Sequence, residues 1–123
     1  MIETYVPHAL CWRLTVLAGR VLAATASTPP EGDFRSNVPG SRVVEDAVLP
    51  DGAEEIAIQA VEAMRCDFGG VDLMQGTNGQ LIVTEVNFPC FFADQQAGTG
   101  VEIAGAIVDH LMAKATAIKA IAP

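Results

Sequence analysis

No stretch of this chain approaches the ~20 consecutive apolar residues that a membrane-spanning helix needs, so no membrane partner is expected. The opening MIETYVPHAL has no basic segment ahead of an apolar block and carries an acid at Glu3, which predicts no signal peptide. Cysteine is sparse: Cys11, Cys66 and Cys90 are odd in number and widely spaced. That pattern fits neither a disulfide framework nor a zinc knuckle and predicts a reducing, cytoplasmic setting. Basic residues are also few, 7 Lys and Arg against 15 Asp and Glu, for a net charge of −8. A surface that binds nucleic acid is normally basic, so a nucleic-acid partner is not expected. The acidity is compatible with sites for divalent cations, but it is also common on ordinary proteins.

What the chain does have is apolar material. Half of its 123 residues are hydrophobic and its mean hydropathy is +0.34, enough for one domain, residues 1–123, with one modest core. Residues 2–6 predict a short strand stopped by Pro7. Residues 10–17 and 20–26 predict two strands joined at Ala18-Gly19. A proline- and glycine-containing loop follows at 28–41, then a strand over 42–48. Residues 51–65 predict a helix, with Asp51 as N-cap, Glu54 in capping-box spacing, and Ile56, Ala60, Ala63 and Met64 on one face. After an irregular segment at 87–100, Thr99 and Glu102 mark the start of a second helix. Its apolar stripe is Ala104, Ile107, Val108, Leu111 and Met112, and the tail 113–123 extends or frays it. The expected class is α+β: an antiparallel sheet with two main helices.

The segment VDLMQGTNGQLIVTEVN, 71–87, carries two acids and an amide among apolar residues. Asn78-Gly79 predicts a two-residue type I′ turn, which needs positive φ at both positions. Counting outward pairs residue 75 with 82, and Asp72 with Glu85. Asn87 then shares their face opposite Gly70, because side chains alternate along a strand. Two facing carboxylates repel, and a cation between them reverses the sign. Asp72, Glu85 and Asn87 offer only oxygen ligands, the preference of Mg²⁺, which often shares its site with phosphate. The plain alternative is a register off by one, with one acid in solvent.

GDFRSN (32–37), GVDLM (70–74) and TEVN (84–87), in this order, resemble the C-terminal lobe of ATP-grasp carboxylate–amine ligases, and within them the RimK-like amino-acid ligases. The resemblance runs from Ile2 to about Leu111. It implies ATP and two Mg²⁺ ions, with Mn²⁺ as a possible substitute: Asp72 and Glu85 on one ion, Glu85 and Asn87 on the other. It places Arg35, Ser36 and Asn37 on the ATP side and brings Arg13 to the phosphates or the acyl phosphate, with Arg13 and Arg35 in catalytic roles. The implied reaction is phosphorylation of a carboxylate by ATP, then attack of an amine to give an amide. The acid and the amine stay open.

The chain departs from the family pattern in three respects. It lacks counterparts of the family's N-terminal and central lobes, which would have to be supplied in cis or in trans. Cys11 stands where relatives carry an acid two residues before the arginine, and FPCFFADQQ replaces their small serine-containing loop. The expected function is therefore a truncated nucleotide- and metal-binding lobe, inactive alone. The rival is a non-catalytic nucleotide-binding or interaction module that keeps the fold, with a homo-oligomer as one outcome. A hydrolase using Asp72 and Glu85 as an acid–base pair is disfavoured, because direct opposition leaves less than the ~6.5–9.5 Å of inverting geometry.

The other chemistry-bearing residues have plainer readings. His8 is expected in a loop and His110 on a helix surface. Cys90 is expected as a buried or pocket-lining thiol and Trp12 as core. Phe88, Phe91 and Phe92 are expected to pack or to shape a pocket.

Overall fold

The computed structural model describes residues 5–36, 38–44 and 48–121. Residues 2–4 of the first expected strand and 45–47 of the fourth lie outside them. Residues 5–7 precede the sheet without strand structure, where Pro7 O accepts the Thr77 N–H at 3.1 Å.

The strands are β1 (His8–Leu17), β2 (Arg20–Thr28), β3 (Arg42–Val44), β4 (Phe68–Gly76) and β5 (Leu81–Asn87). They form one antiparallel sheet in the order β3-β2-β1-β4-β5. The helices are α1 (Ala53–Ala63), α2 (Ala93–Thr99) and α3 (Ile103–Ile121). The α+β class holds, with three helices where two main ones were expected. Strands β1 and β2 meet at Ala18-Gly19, whose φ values of 49° and 72° suit a tight primed turn. Leu22 is an extra residue in β2, since Thr15 pairs with Ala23 and Val16 with Val21.

Alternation sorts the sheet into two faces. Trp12, Leu14, Val16, Ala26, Val71 and Leu73 are buried together with Ala53, Ala57 and Val61 of α1. The buried stripe of α1 thus follows i, i+4 spacing through small residues. Ile56 and Ala60 only flank it, and Ala63 and Met64, expected on the packed face, are exposed. Small residues let the helix sit close: a Cβ on Gly69 would lie 3.1 Å from Val61 Cγ2. The helix also starts differently from expectation. Ala53 N–H bonds to Pro50 O at 3.1 Å, a turn that leaves Asp51 one residue outside. The N-cap is Gly52, at φ 80°, without a side-chain cap. Glu54 and Glu55 still place negative charge at the positive end of the helix.

The Thr99–Glu102 capping box does not form. Thr99 ends α2, its hydroxyl donating to Gln95 O at 2.7 Å, and the Gln96 side-chain oxygen accepts Ala104 N–H instead, at 3.0 Å. On α3, Ile103 is buried, whereas Val108, Leu111 and Met112 are exposed. Asp67 ties the helix to the start of β4 through His110, at 3.0 Å, and Lys114. The α3 helix continues through the expected tail to Ile121.

Candidate functional site

The opposite face of the sheet carries the polar residues. The β4–β5 hairpin reaches its register by two compensating irregularities. Gly79 N–H bonds to Gly76 O at 2.9 Å and Gly76 N–H to Gln80 O at 2.9 Å. Only Gly79 of the Asn78-Gly79 pair has positive φ, at 81°. This is a three-residue loop with glycine in the left-handed position, not the expected type I′ turn. The Asn78 side-chain oxygen accepts the Gln80 N–H at 3.1 Å, which holds Asn78 in its turn. Near the turn the register is therefore one residue off the expected one, and Gln75 pairs with Leu81 rather than Ile82. Thr84 is then an extra residue in β5, its hydroxyl bonded to Asp72 O at 3.1 Å, and beyond this bulge Asp72 pairs with Glu85 and Gly70 with Asn87. The two expected oppositions are present.

One rung crosses four strands: Thr25, Arg13, Asp72 and Glu85 are register partners in turn. Arg13 grips Asp72 with both forks of its guanidinium, Nε on Oδ1 and Nη2 on Oδ2, the latter at 2.6 Å. That pair is half-buried, and the hydrogen bonds to Asp72 raise the guanidinium's pKa further. The acid expected to face only another acid thus has a cationic neighbour on its other side. Nothing in the local sequence signals this contact, since 59 residues separate the partners.

An open cavity of ≈ 330 Å³ lies on this face, and Arg13, Arg35, Ser36, Asp72 and Glu85 all line it, with Cys11, Phe34 and Thr84 among the other walls. Arg35 is held by Asp33 through a backbone N–H bond at 3.0 Å and a side-chain fork at 3.0 and 2.7 Å. The same arginine keeps Asp33 ionised well below the usual carboxylate range. Tyr5 packs edge-on against Phe34 at 5.8 Å and braces the loop. Asn37 lies outside the described residues. Asn87 follows Glu85 on the same face by alternation, but it does not line the cavity. Burial pushes the Cys11 thiol up, only partly offset by a hydrogen bond from Ser36.

Beside the rung, the space above Gly70 is filled. A Cβ there would lie 2.7 Å from Cys90 Cβ and 3.2 Å from its Sγ. Cys90 is buried, and its thiol is pushed up by that burial. Gln95, absent from the sequence-based expectations because 87–100 reads as irregular, anchors α2 on the polar face. Its amide donates to Arg13 O at 2.9 Å, and its side-chain oxygen accepts the buried Thr15 hydroxyl at 2.5 Å. Phe92 packs edge-on against Phe68 at 6.0 Å, while Phe88 and Phe91 are exposed. His8 opens β1 instead of lying in a loop, its ring bonded to Val6 O at 2.9 Å.

An all-oxygen pair of facing carboxylates at a cavity edge fits a hard divalent cation, with a guanidinium beside it suited to phosphate. The antiparallel five-stranded sheet with its helices is the fold of ATP-grasp ligase structures. Residues 4–111 match the family model described as the RimK-like ATP-grasp domain, and the chain belongs to that family. A probable alpha-L-glutamate ligase of Rhodopirellula baltica is 35% identical over 83% of this chain and 25% of its own length. One from Xanthomonas oryzae pv. oryzae is 39% identical over 80% of this chain and 33% of its own. The chain therefore spans about a quarter to a third of these curated relatives. Among solved structures, the ATP-grasp ligase PsnB bound to its minimal precursor superposes with a TM-score of 0.68 at 23% identity, over 89% of this chain and 35% of that one. The macrocyclase MdnB from Microcystis aeruginosa gives 0.67 at 19%, over 89% and 40%. At these identities the two structures share the fold.

Proposed function

We propose that this chain is the metal- and nucleotide-binding lobe of an ATP-dependent carboxylate–amine ligase, which joins an acid to an amine through an acyl phosphate. The observation that carries the reading is the Arg13–Asp72–Glu85 rung at the cavity edge. Asp72 and Glu85 would hold one Mg²⁺, and Glu85 with Asn87 a second. Bound there, the ions would neutralise charge on the transferring phosphoryl group. Arg35, Ser36 and Asn37 would face the nucleotide, and Arg13 would steady phosphate or acyl-phosphate oxygens through its planar fork. Support for the cofactors comes from the family match and from a PsnB structure described with Mg and ADP. The cytoplasm, where ATP is plentiful, is the setting that suits this chemistry.

The chain spans only about a quarter to a third of the curated relatives it matches, so turnover is assigned to this lobe joined to the remaining lobes, in cis or in trans. Amide formation is the test. With ATP, Mg²⁺, and candidate acids and amines, the lobe is expected to be active only when the remaining lobes are supplied. Robust turnover by the isolated chain would refute this division. The rival, an interaction module without chemistry, draws on Val108, Leu111, Met112 and Ile118, all exposed on α3. It gains if the completed assembly binds no nucleotide.

A further inference from the structure

We propose that the Arg13–Asp72 ion pair is an exchange device: its guanidinium moves from Asp72 to the anionic ligand when cation and nucleotide are both present, and this makes their binding interdependent. The inference rests on the ligase reading and adds to it a rule for how the site fills.

Both oxygens of Asp72 are taken by Arg13. A cation approaching Asp72 therefore meets a carboxylate that is already neutralised. Glu85, its neighbour on the other strand, makes no ion pair among the described residues. The rung's net charge is thus one negative rather than two. A divalent cation arriving alone must break the fork and leave a guanidinium without a partner beside a new positive charge. Asp33, an acid next to the cavity-lining Phe34 and Arg35, is already held by Arg35. A nucleotide arriving alone meets an arginine committed to Asp72 and the unneutralised Glu85. Only together do both interactions form, because phosphate oxygens accept the same two-pronged geometry that Asp72 gives up.

The backbone is built to allow this exchange. Arg13 O is fixed by Gln95 at 2.9 Å, and strands β2 and β4 flank residue 13 on either side. The side chain can therefore swing from a stationary strand. Coupling of this kind is reciprocal: whatever factor the nucleotide adds to cation affinity, the cation adds to nucleotide affinity.

The test titrates the full chain with Mg²⁺ in the absence and presence of ADP, correcting for Mg–ADP formed in solution, and compares wild type with Arg13→Gln. Simple removal of a positive charge would tighten cation binding equally with and without ADP. Exchange predicts instead that the ratio of the Mg²⁺ dissociation constant without ADP to that with ADP falls up to about fivefold in Arg13→Gln, the upper end for one half-exposed ion pair. In parallel, the Arg13 Nε–H resonance, assigned by its loss in Arg13→Lys, should shift substantially only when both ligands are added. An unchanged ratio would overturn the exchange, as would a stationary Nε–H signal while amides around Glu85 respond to Mg–ADP. If no cavity amide responds to either ligand even when the remaining lobes are supplied, the ligase reading itself falls and takes the exchange with it.

Discussion

At the scale of single residues, the site depends on how close two backbones and one small side chain can come. Gly70 pairs with Asn87, and Cys90 covers it so tightly that any Cβ would overlap it. Gly70→Ala should destabilise the chain by about 1–3 kcal/mol, the usual cost of overpacking, measured by urea denaturation. Cys90→Ala should not relieve the clash, because the nearest atom is the cysteine's own Cβ, whereas Cys90→Gly in the Gly70→Ala background should recover much of the loss. Equal recovery by both would contradict this account. Opposition of Asp72 and Glu85 was legible from the letters alone, since both acids lie within one local hairpin. The hold of Arg13 on Asp72 was not, because β1–β4 pairing is non-local and no turn fixes it.

Counting from Asn78-Gly79 gives the right partner for Asp72 although the turn type and the 75–82 pair are wrong, because the Thr84 bulge restores what the longer loop displaces. Likewise, counting from Ala18-Gly19 would set Arg13 against Ala24, and only the extra Leu22 brings Thr25 into the rung. Inserting a residue between Thr84 and Glu85 should therefore pull Glu85 out of the Asp72 row or force a wider bulge, since a one-residue slip sends a side chain to the other face. The expected result is a folded chain with lost Mg–nucleotide response, read by circular dichroism and amide shifts. An unimpaired response would contradict it.

Helix α3 is tied to the start of β4 through Asp67. The Asp67 pKa is lowered by its hydrogen bond from His110 and then by that from Lys114. A depressed folded pKa gives stability that is present above the ordinary aspartate value and lost as pH falls through the depressed one. Because the pair is exposed, Asp67→Asn should cost no more than ~0.2–1 kcal/mol. It should also flatten the acid limb of the stability curve and speed amide exchange in α3. An unchanged acid limb would show that the contact contributes nothing.

At the scale of the whole molecule, one face of the sheet is closed by α1 and the other is left with a charged rung and an open cavity. The α+β class and most strands were legible, because alternation and tight turns are local signals. Helix α2 was not: ADQQAGT has no apolar stripe, and its place is set by the buried Gln95 bonding to β1. The apolar stripe assigned to α3 was real as a pattern, yet most of it faces outward here, because periodicity says which residues share a side and not what covers them.

The central claim is that Asp72 and Glu85 face each other in order to hold a divalent cation that secures a nucleotide. Its most direct measurement is the amide response of the chain to ADP with and without Mg²⁺, in wild type and in Glu85→Gln. The account predicts a response centred on residues 72 and 85 that needs Mg²⁺ and weakens at least tenfold in Glu85→Gln while the fold is unchanged. A response indifferent to Mg²⁺, or one that Glu85→Gln leaves intact, would contradict it.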